Sequence, residues 1–177
     1  MASSKRSTAP AKSSGTSSRA PRPTSTSSRT RSTSSITSVV IALGANLGDR
    51  RRTILRAIHL LRSSMRVVCV SALHETDPVD APAGSPKFLN CVLTGFTRLS
   101  AEALLGELRL VELRLGRKRR GERNAPRTID LDLILHGAHR MRTAALTLPH
   151  PRAAARAFVV KPLEECGGLG MHLLRAR

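Results

Sequence analysis

The run Ile129-Asp130-Leu131-Asp132-Leu133-Ile134-Leu135 sets two carboxylates two residues apart among aliphatic side chains. Alternate residues of a strand face the same side. Leu131, Leu133 and Leu135 are therefore expected to face a core, and Asp130 and Asp132 to stand together on the other face, about 7 Å apart at Cα. Like charges so placed repel, and the pair costs stability unless a cation compensates. Hard divalent ions take oxygen ligands, and Mg²⁺ in phosphoryl-transfer sites is often held by one or two carboxylates plus substrate phosphates. The competing reading of the pair alone is a solvated polar strand face. The preceding segment weighs against it, because Arg114, Arg117, Lys118, Arg119, Arg120, Arg123 and Arg127 accompany a single acid, Glu122. Beside a metal-binding pair, such a loop suits a polyphosphate: metal neutralises one side and guanidinium groups clamp the other. By itself the loop reads as a solvated basic segment or a nucleic-acid patch. His150, fixed between Pro149 and Pro151, suits phosphate as a basic donor, although a lone loop histidine is more often structural.

Composition narrows the classes. The chain has 177 residues, enough for one ordinary domain, and a net charge of +18 that points to an anionic partner or substrate. Three Phe, no Tyr and no Trp argue against nucleic-acid binding through base-stacking platforms. No apolar run approaches the roughly 20 residues of a membrane helix. There is no P-loop, no kinase glycine loop, and no dinucleotide spacing in Gly44-Ala45-Asn46-Leu47-Gly48. Cys69, Cys91 and Cys166 lack metal-type spacing and are expected to be reduced core thiols. Residues 1–38 hold 14 Ser, 7 Thr, seven Lys or Arg and no acid. Such a stretch cannot bury enough apolar surface to offset its ordering entropy, and a disordered arm is expected. Its composition resembles that of an organellar transit peptide, but Pro10, Pro21 and Pro23 interrupt any amphipathic helix, so a solvated tail on a cytoplasmic protein is the expectation.

The acidic pair and the basic loop need a scaffold, and residues 39–177 supply alternating patterns. Val39–Leu43 and Arg66–Leu73 read as strands, as do Phe88–Thr97 and Ile129–Leu135. Ile54, Leu55, Ile58 and Leu61 have helical spacing. So do Leu104, Leu105, Leu108, Val111 and Leu115 behind an N-cap at Ser100. Residues 76–87, with Pro78, Pro82, Gly84 and Pro86, and 116–128 are loops. Residues 149–151 are a turn, and Ala153–Leu163 reads as a last helix. The order β-α-β-β-α-β predicts an α+β, ferredoxin-like sandwich with an antiparallel sheet, helices and a mobile basic loop.

The assembled motifs are similar to those of the hydroxymethyldihydropterin pyrophosphokinases of folate biosynthesis. The resemblance runs through Ile41–Gly48, Thr76-Asp77-Pro78, Phe88-Leu89-Asn90, Glu112 with Gly116-Arg117, Arg123–Leu133, Leu148–Arg152 and Arg156-Ala157-Phe158. The block Pro126-Arg127-Thr128-Ile129-Asp130-Leu131-Asp132-Leu133 is its most specific part. The resemblance implies Mg²⁺-dependent transfer of pyrophosphate from ATP to a reduced pterin, with release of AMP. It implies two Mg²⁺ ions on Asp130 and Asp132, and Arg117 and Arg127 as catalytic cations. It puts Glu112, Arg119, Thr147, His150 and Arg156 with ATP, and Gly44, Thr76, Pro78, Phe88, Asn90 and Phe158 around the pterin. Two of only three Phe fall at the stacking positions, which suits a flat heterocycle held by rings and one amide. The chain departs from the family at His74, Asp80, Asn124 and Pro151, and its C-terminal tail is short. The alternatives are a basic ferredoxin-like nucleic-acid module, which salt-dependent oligonucleotide binding without ATP consumption would favour, or an inactive homologue. Deleting residues 1–36 is expected to leave kcat/KM unchanged, because the segment lacks core-forming residues and its charges are screened within about 10 Å. A large fall in the shortened chain would show that the arm reaches the site.

Overall fold

The first described element, β1, is nine residues long, Thr37–Ala45, and every later element is arranged around it. The structure, a computed structural model, describes residues 35–79, 84–118 and 125–175. The expected arm over 1–38 therefore lies almost wholly outside the described residues, as does the middle of the basic loop. Asp49 caps α1 (Arg50–Leu61), its carboxylate accepting from the Arg52 N–H at 2.9 Å. β2 (Arg66–Val70) and β3 (His74–Thr76) follow, then β4 (Phe88–Thr97). Ser100 caps α2 (Ala101–Arg114) as its spacing predicts, and Gly116 at φ 82° takes the chain out of the helix. β5 (Asp130–His136) carries the acidic pair. Beyond it come the small hairpin β6 (Met141–Arg142) and β7 (Thr147–Leu148), and then α3 (Ala157–Glu165) and α4 (Met171–Arg175).

The main sheet runs β2-β4-β1-β5, with β3 also paired to β4, and all its pairings are antiparallel. This is the strand order of the expected ferredoxin-like sandwich. One face packs Val39, Ile41, Leu43, Leu131 and Leu133 against Ile54, Ile58 and Leu61 of α1 and Leu104, Leu108 and Val111 of α2. The other face packs Val40, Val92, Ile134 and Leu135 against Val159 and Leu163 of α3 and Leu174 of α4.

Several expectations need correction. Leu135 does not share the face of Leu131 and Leu133. The β1–β5 register passes from Ile41↔Leu133 to Val40↔Leu135, so Ile134 is an extra residue, and the bulge turns Leu135 toward α3. Leu55 is 51 % exposed, and Ala57 takes the buried place in its stead. The expected helix over 153–163 is a short 3-10 turn, Ala153–Ala155, and then α3, broken at Arg156, whose φ −103° and ψ 105° are extended. The strand expected up to Leu73 ends at Val70, and β3, which was not expected, runs into the first residue of the expected loop, Thr76. Cys69 and Cys166 are not free thiols. They form a disulfide between β2 and the end of α3, with Cα atoms 5.7 Å apart. Nothing in their spacing, 97 residues apart, announces the pairing. Cys91 alone fits the expectation, buried with its thiol pushed up to about 12 by burial. No helix among the described residues is long and apolar enough to cross a membrane.

Candidate active site

The end of β1 places Gly44 between two partners, Asn90 of β4 and Asp130 of β5, and two residues earlier Ala42 is paired with Asp132. Directly paired residues share a face. The acidic pair therefore stands, as predicted, on the face away from α1 and α2, at the sheet end where the first residues of α3 reach the same cleft. Gly44 is required there: a Cβ would lie 2.6 Å from Asn90 Oδ1. Asn90, 6 % exposed, donates from Nδ2 to Thr76 Oγ1 at 2.7 Å, which fixes its amide across β3 and β4. Phe88 and Phe158 complete this cleft of about 240 Å³, which Arg117, Arg127, Asp130, Asp132, His150, Arg152 and Arg156 also line. The Arg127 guanidinium lies 5.7 Å from the Phe88 centroid, and that of Arg156 lies 5.2 Å from the Phe158 centroid.

A second cavity, about 370 Å³, meets the first across Arg117, Asp130, Asp132 and His150 and extends to Glu112 and Thr147. The predicted residues are thus gathered at one end of the sheet, divided between two adjoining spaces. Pro78 does not line either space, although Asp77 and Val79 line the first. Arg119 lies outside the described residues. A larger open groove, about 1180 Å³, lies at the opposite sheet end between Ile36, Arg66 and Phe96, and contains none of the predicted residues.

Charge at the shared wall is closely balanced. Asp130 accepts from Arg127 Nη1 at 2.8 Å and also from Arg117, which in turn donates to Glu112. Glu112 is 3 % exposed and accepts the Leu131 N–H at 2.8 Å, so it braces both Arg117 and the start of β5. Burial pushes the Glu112 carboxyl up, against the Leu131 N–H and the Arg117 charge. Burial works to lower Arg117, but the Asp130 and Glu112 carboxylates outweigh it, and the guanidinium is raised. Asp132 fares differently, since its nearest cation, Arg156 Nη1, is 3.7 Å away. Burial and the Asp130 charge raise it to about 6. His150, expected to be basic, is lowered to about 4 by burial and by the Arg156 and Arg152 charges, so at neutral pH it is an uncharged imidazole. Its Nδ1 lies 3.3 Å from the Arg152 N–H, which makes Nε2 the donor nitrogen that can meet an anion.

No group of three or more His, Cys, Asp or Glu side chains forms a metal cage among the described residues. Two carboxylates side by side, Asp130 held by arginines and Asp132 more loosely paired, suit instead an ion that arrives with phosphate oxygens. Sequence reasoning missed Arg152 and Asn46. Arg152 falls four residues before Arg156, a spacing that the broken helix conceals. Asn46, 3 % exposed just past β1, showed no signal beyond its glycine-flanked string.

Gly44→Ala is expected to raise KM for the ring-bearing substrate at least tenfold with a smaller change in kcat, because the added methyl occupies the cleft floor and displaces Asn90. Steady-state kinetics with each substrate varied separately checks this; an unchanged KM would remove Gly44 from the floor.

The sequence matches the family described as 7,8-dihydro-6-hydroxymethylpterin-pyrophosphokinase (HPPK) over residues 40–167. It is 40 % identical over 127 residues to the Bacillus subtilis 2-amino-4-hydroxy-6-hydroxymethyldihydropteridine pyrophosphokinase, covering 71 % of this chain and 75 % of that protein. It is also 40 % identical over 131 residues to the Arabidopsis thaliana folate synthesis bifunctional protein, mitochondrial, covering 73 % of this chain and 23 % of that one. The chain spans about a quarter of the length of the plant bifunctional relatives. Among solved structures, Plasmodium falciparum HPPK-DHPS with pteroate superimposes with a TM-score of 0.58 at 13 % identity, over 74 % of this chain and 39 % of that one, which shows a common fold. With the match running from β1 to the end of α3 and 40 % identity to a protein of which three quarters is covered, the chain belongs to the 7,8-dihydro-6-hydroxymethylpterin-pyrophosphokinase family.

Proposed function

We propose that this protein transfers pyrophosphate from ATP to the hydroxymethyl group of 6-hydroxymethyl-7,8-dihydropterin and releases AMP. The observation that carries this reading is the pair of adjoining cavities with one charged wall. One has two Phe rings and a fixed amide over a glycine floor, and the other extends past Glu112 and Thr147. A flat heterocycle fits between rings, with the Asn90 amide and Thr76 at its polar edge. The nucleotide occupies the second cavity, and its β-phosphorus comes to the wall where the two spaces meet. The substrate hydroxyl oxygen bonds to that phosphorus, the bond to the α-phosphate bridging oxygen breaks, the hydroxyl proton is released, and AMP leaves.

In this reading Asp130 and Asp132 hold two Mg²⁺ ions, which supply neutralising charge on the phosphate oxygens. Arg117 and Arg127 are the catalytic cations. They now pair with Asp130, and a phosphate chain offers them alternative acceptors of the same kind. Arg156 and the neutral His150 bind ATP phosphates, with Arg119 assigned to the same role. Glu112 acts chiefly by holding Arg117, and Pro78 shapes the approach to the pterin wall only through its neighbours. Catalysis is then mostly positioning and charge neutralisation.

ATP and a reduced pterin are the proposed partners, and nucleic acid is not one, since the acidic pair faces the site. The arm over 1–38 is proposed as a solvated tail and the cytoplasm as the compartment. The Cys69–Cys166 bridge weighs against the latter, because disulfides are rare in reducing compartments. The test of function is incubation with ATP, Mg²⁺ and the reduced pterin. AMP formed in step with a pyrophosphorylated pterin supports the reading; ADP, or no nucleotide turnover, overturns it.

A further inference from the structure

Asn46 follows β1 directly, yet its side chain lines neither cavity. It is 3 % exposed, and its side-chain amide bonds two distant segments. Oδ1 accepts the Arg127 backbone N–H at 2.7 Å, and the Asn46 N–H donates to the Arg127 carbonyl at 3.2 Å. Both backbone groups of Arg127 are thus held by one residue, as a strand neighbour would hold them. On its other side, Nδ2 donates to the Pro86 carbonyl at 3.2 Å, two residues before Phe88.

We propose that Asn46 is a positioning residue for pyrophosphoryl transfer, acting through Arg127 and through the segment that carries Phe88. The inference rests on the pyrophosphokinase reading above. Arg127 has three side-chain engagements: Nη1 on Asp130, Nε 3.3 Å from the Ala125 carbonyl, and its guanidinium over Phe88. None of them fixes where its backbone lies relative to β1. Asn46 does, and the same amide fixes Pro86 relative to the same strand end. A phosphate-side cation and a pterin-side ring are thereby referred to a single planar group. An asparagine suits this because its amide donates and accepts in one plane. Leucine or valine could fill the volume but would leave the Arg127 N–H and the Pro86 carbonyl without this shared partner.

The consequence is a coupling between two substrates that never touch Asn46. A displacement near 1 Å of a positioned group can cost about 10² in rate. Asn46→Ala is therefore expected to lower kcat about 10- to 100-fold and to raise the pterin KM several-fold. Asn46→Asp keeps the Oδ1 acceptor for Arg127 but replaces the donor to Pro86 with a carboxylate oxygen that faces the Pro86 carbonyl. It is expected to recover most of the kcat loss while leaving the pterin KM raised.

The decisive experiment combines a kinetic cycle with amide hydrogen exchange. Asn46→Ala is made in the full chain with and without Arg127→Ala, and exchange at the Arg127 amide is followed alongside Tm. The expected result is a kcat loss that shrinks to under about threefold when Arg127 is already Ala, with Tm changes that add. The Arg127 amide should exchange at least tenfold faster in Asn46→Ala than in the wild type, and stay protected in Asn46→Asp. An undiminished kcat loss in the Arg127→Ala background means that Asn46 serves only the fold, and overturns the proposal. Unchanged exchange at Arg127 overturns it as well. That second readout needs no turnover, so a chain that converts no pterin defeats the functional reading while still deciding whether Asn46 positions Arg127.

Discussion

Asp130→Ala and Asp132→Ala are each expected to reduce turnover by at least 10³-fold while the chain remains folded. Both carboxylates are partly exposed at the sheet end, and neither packs in the two apolar clusters, so their removal spares the core. What is lost is the oxygen donor set for the ions that neutralise phosphate charge. The two residues part company in stability. Asp130 is paired with Arg117 and Arg127, and its removal leaves two guanidiniums facing one another near Glu112. Asp130→Ala should therefore lower Tm of the metal-free protein. Asp132 is raised from 3.8 to about 6 by burial and by Asp130, so the folded state favours its protonated form. Stability contributed by that proton is present below about pH 4 and is lost as pH rises to about 6. Asp132→Asn should accordingly raise the metal-free Tm by a few degrees at pH 8, with the difference closing toward pH 4. Turnover within tenfold of wild type for either alanine variant would remove the metal assignment, and a lower Tm for Asp132→Asn at pH 8 would remove the electrostatic one.

The second large effect is expected at the arginines. Arg127→Ala should lower the single-turnover rate by about 10²–10³, the usual cost of losing one preorganised donor to developing charge. Binding of a non-hydrolysable ATP analogue should change by less than about tenfold. Arg156, His150 and Arg152 remain in the same cleft to hold the phosphates, and contacts completed only as charge shifts appear in kcat. Arg117→Ala adds a penalty that Arg127→Ala does not. Its guanidinium neutralises Glu112, which is 4 % exposed at the side chain, and breaking a buried pair from one side typically costs about 3–5 kcal/mol. A double variant that also replaces Glu112 with Gln should recover much of the lost Tm but not the lost rate. Collapse of analogue binding with an untouched chemical step at saturation would reduce both arginines to anchors.

These expectations were readable from the chain to an uneven degree. Alternation around Asp130 and Asp132 is local, so the strand and the face of the acids followed from period two alone. Ser100 and the leucines after it likewise announce α2, because caps and faces are near-neighbour properties. The bulge at Ile134 is set by pairing with β1, and no local pattern marks it. The break at Arg156 is tertiary in the same way. Ala153 and Val159 pack in the same cluster from separate segments, whereas a continuous helix is what their spacing suggests. His150 shows the limit for chemistry. Its residue type suggests a cation, but Arg152, Arg156 and burial together remove the proton. The bridge between Cys69 and Cys166 joins residues whose approach is decided only by how α3 crosses the sheet.

That bridge has a consequence for a cut chain. Every proposed site residue except Gly44 and the positioning residue Asn46 lies in sequence between Cys69 and Cys166, from Thr76 to Phe158. A protease that severs a single peptide bond anywhere in that interval produces two new ends but not two molecules. The N-terminal piece keeps Cys69 and the C-terminal piece keeps Cys166, and the sulfur link holds them as one particle. A singly nicked protein should therefore migrate as one species on a non-reducing gel and as two after thiol treatment.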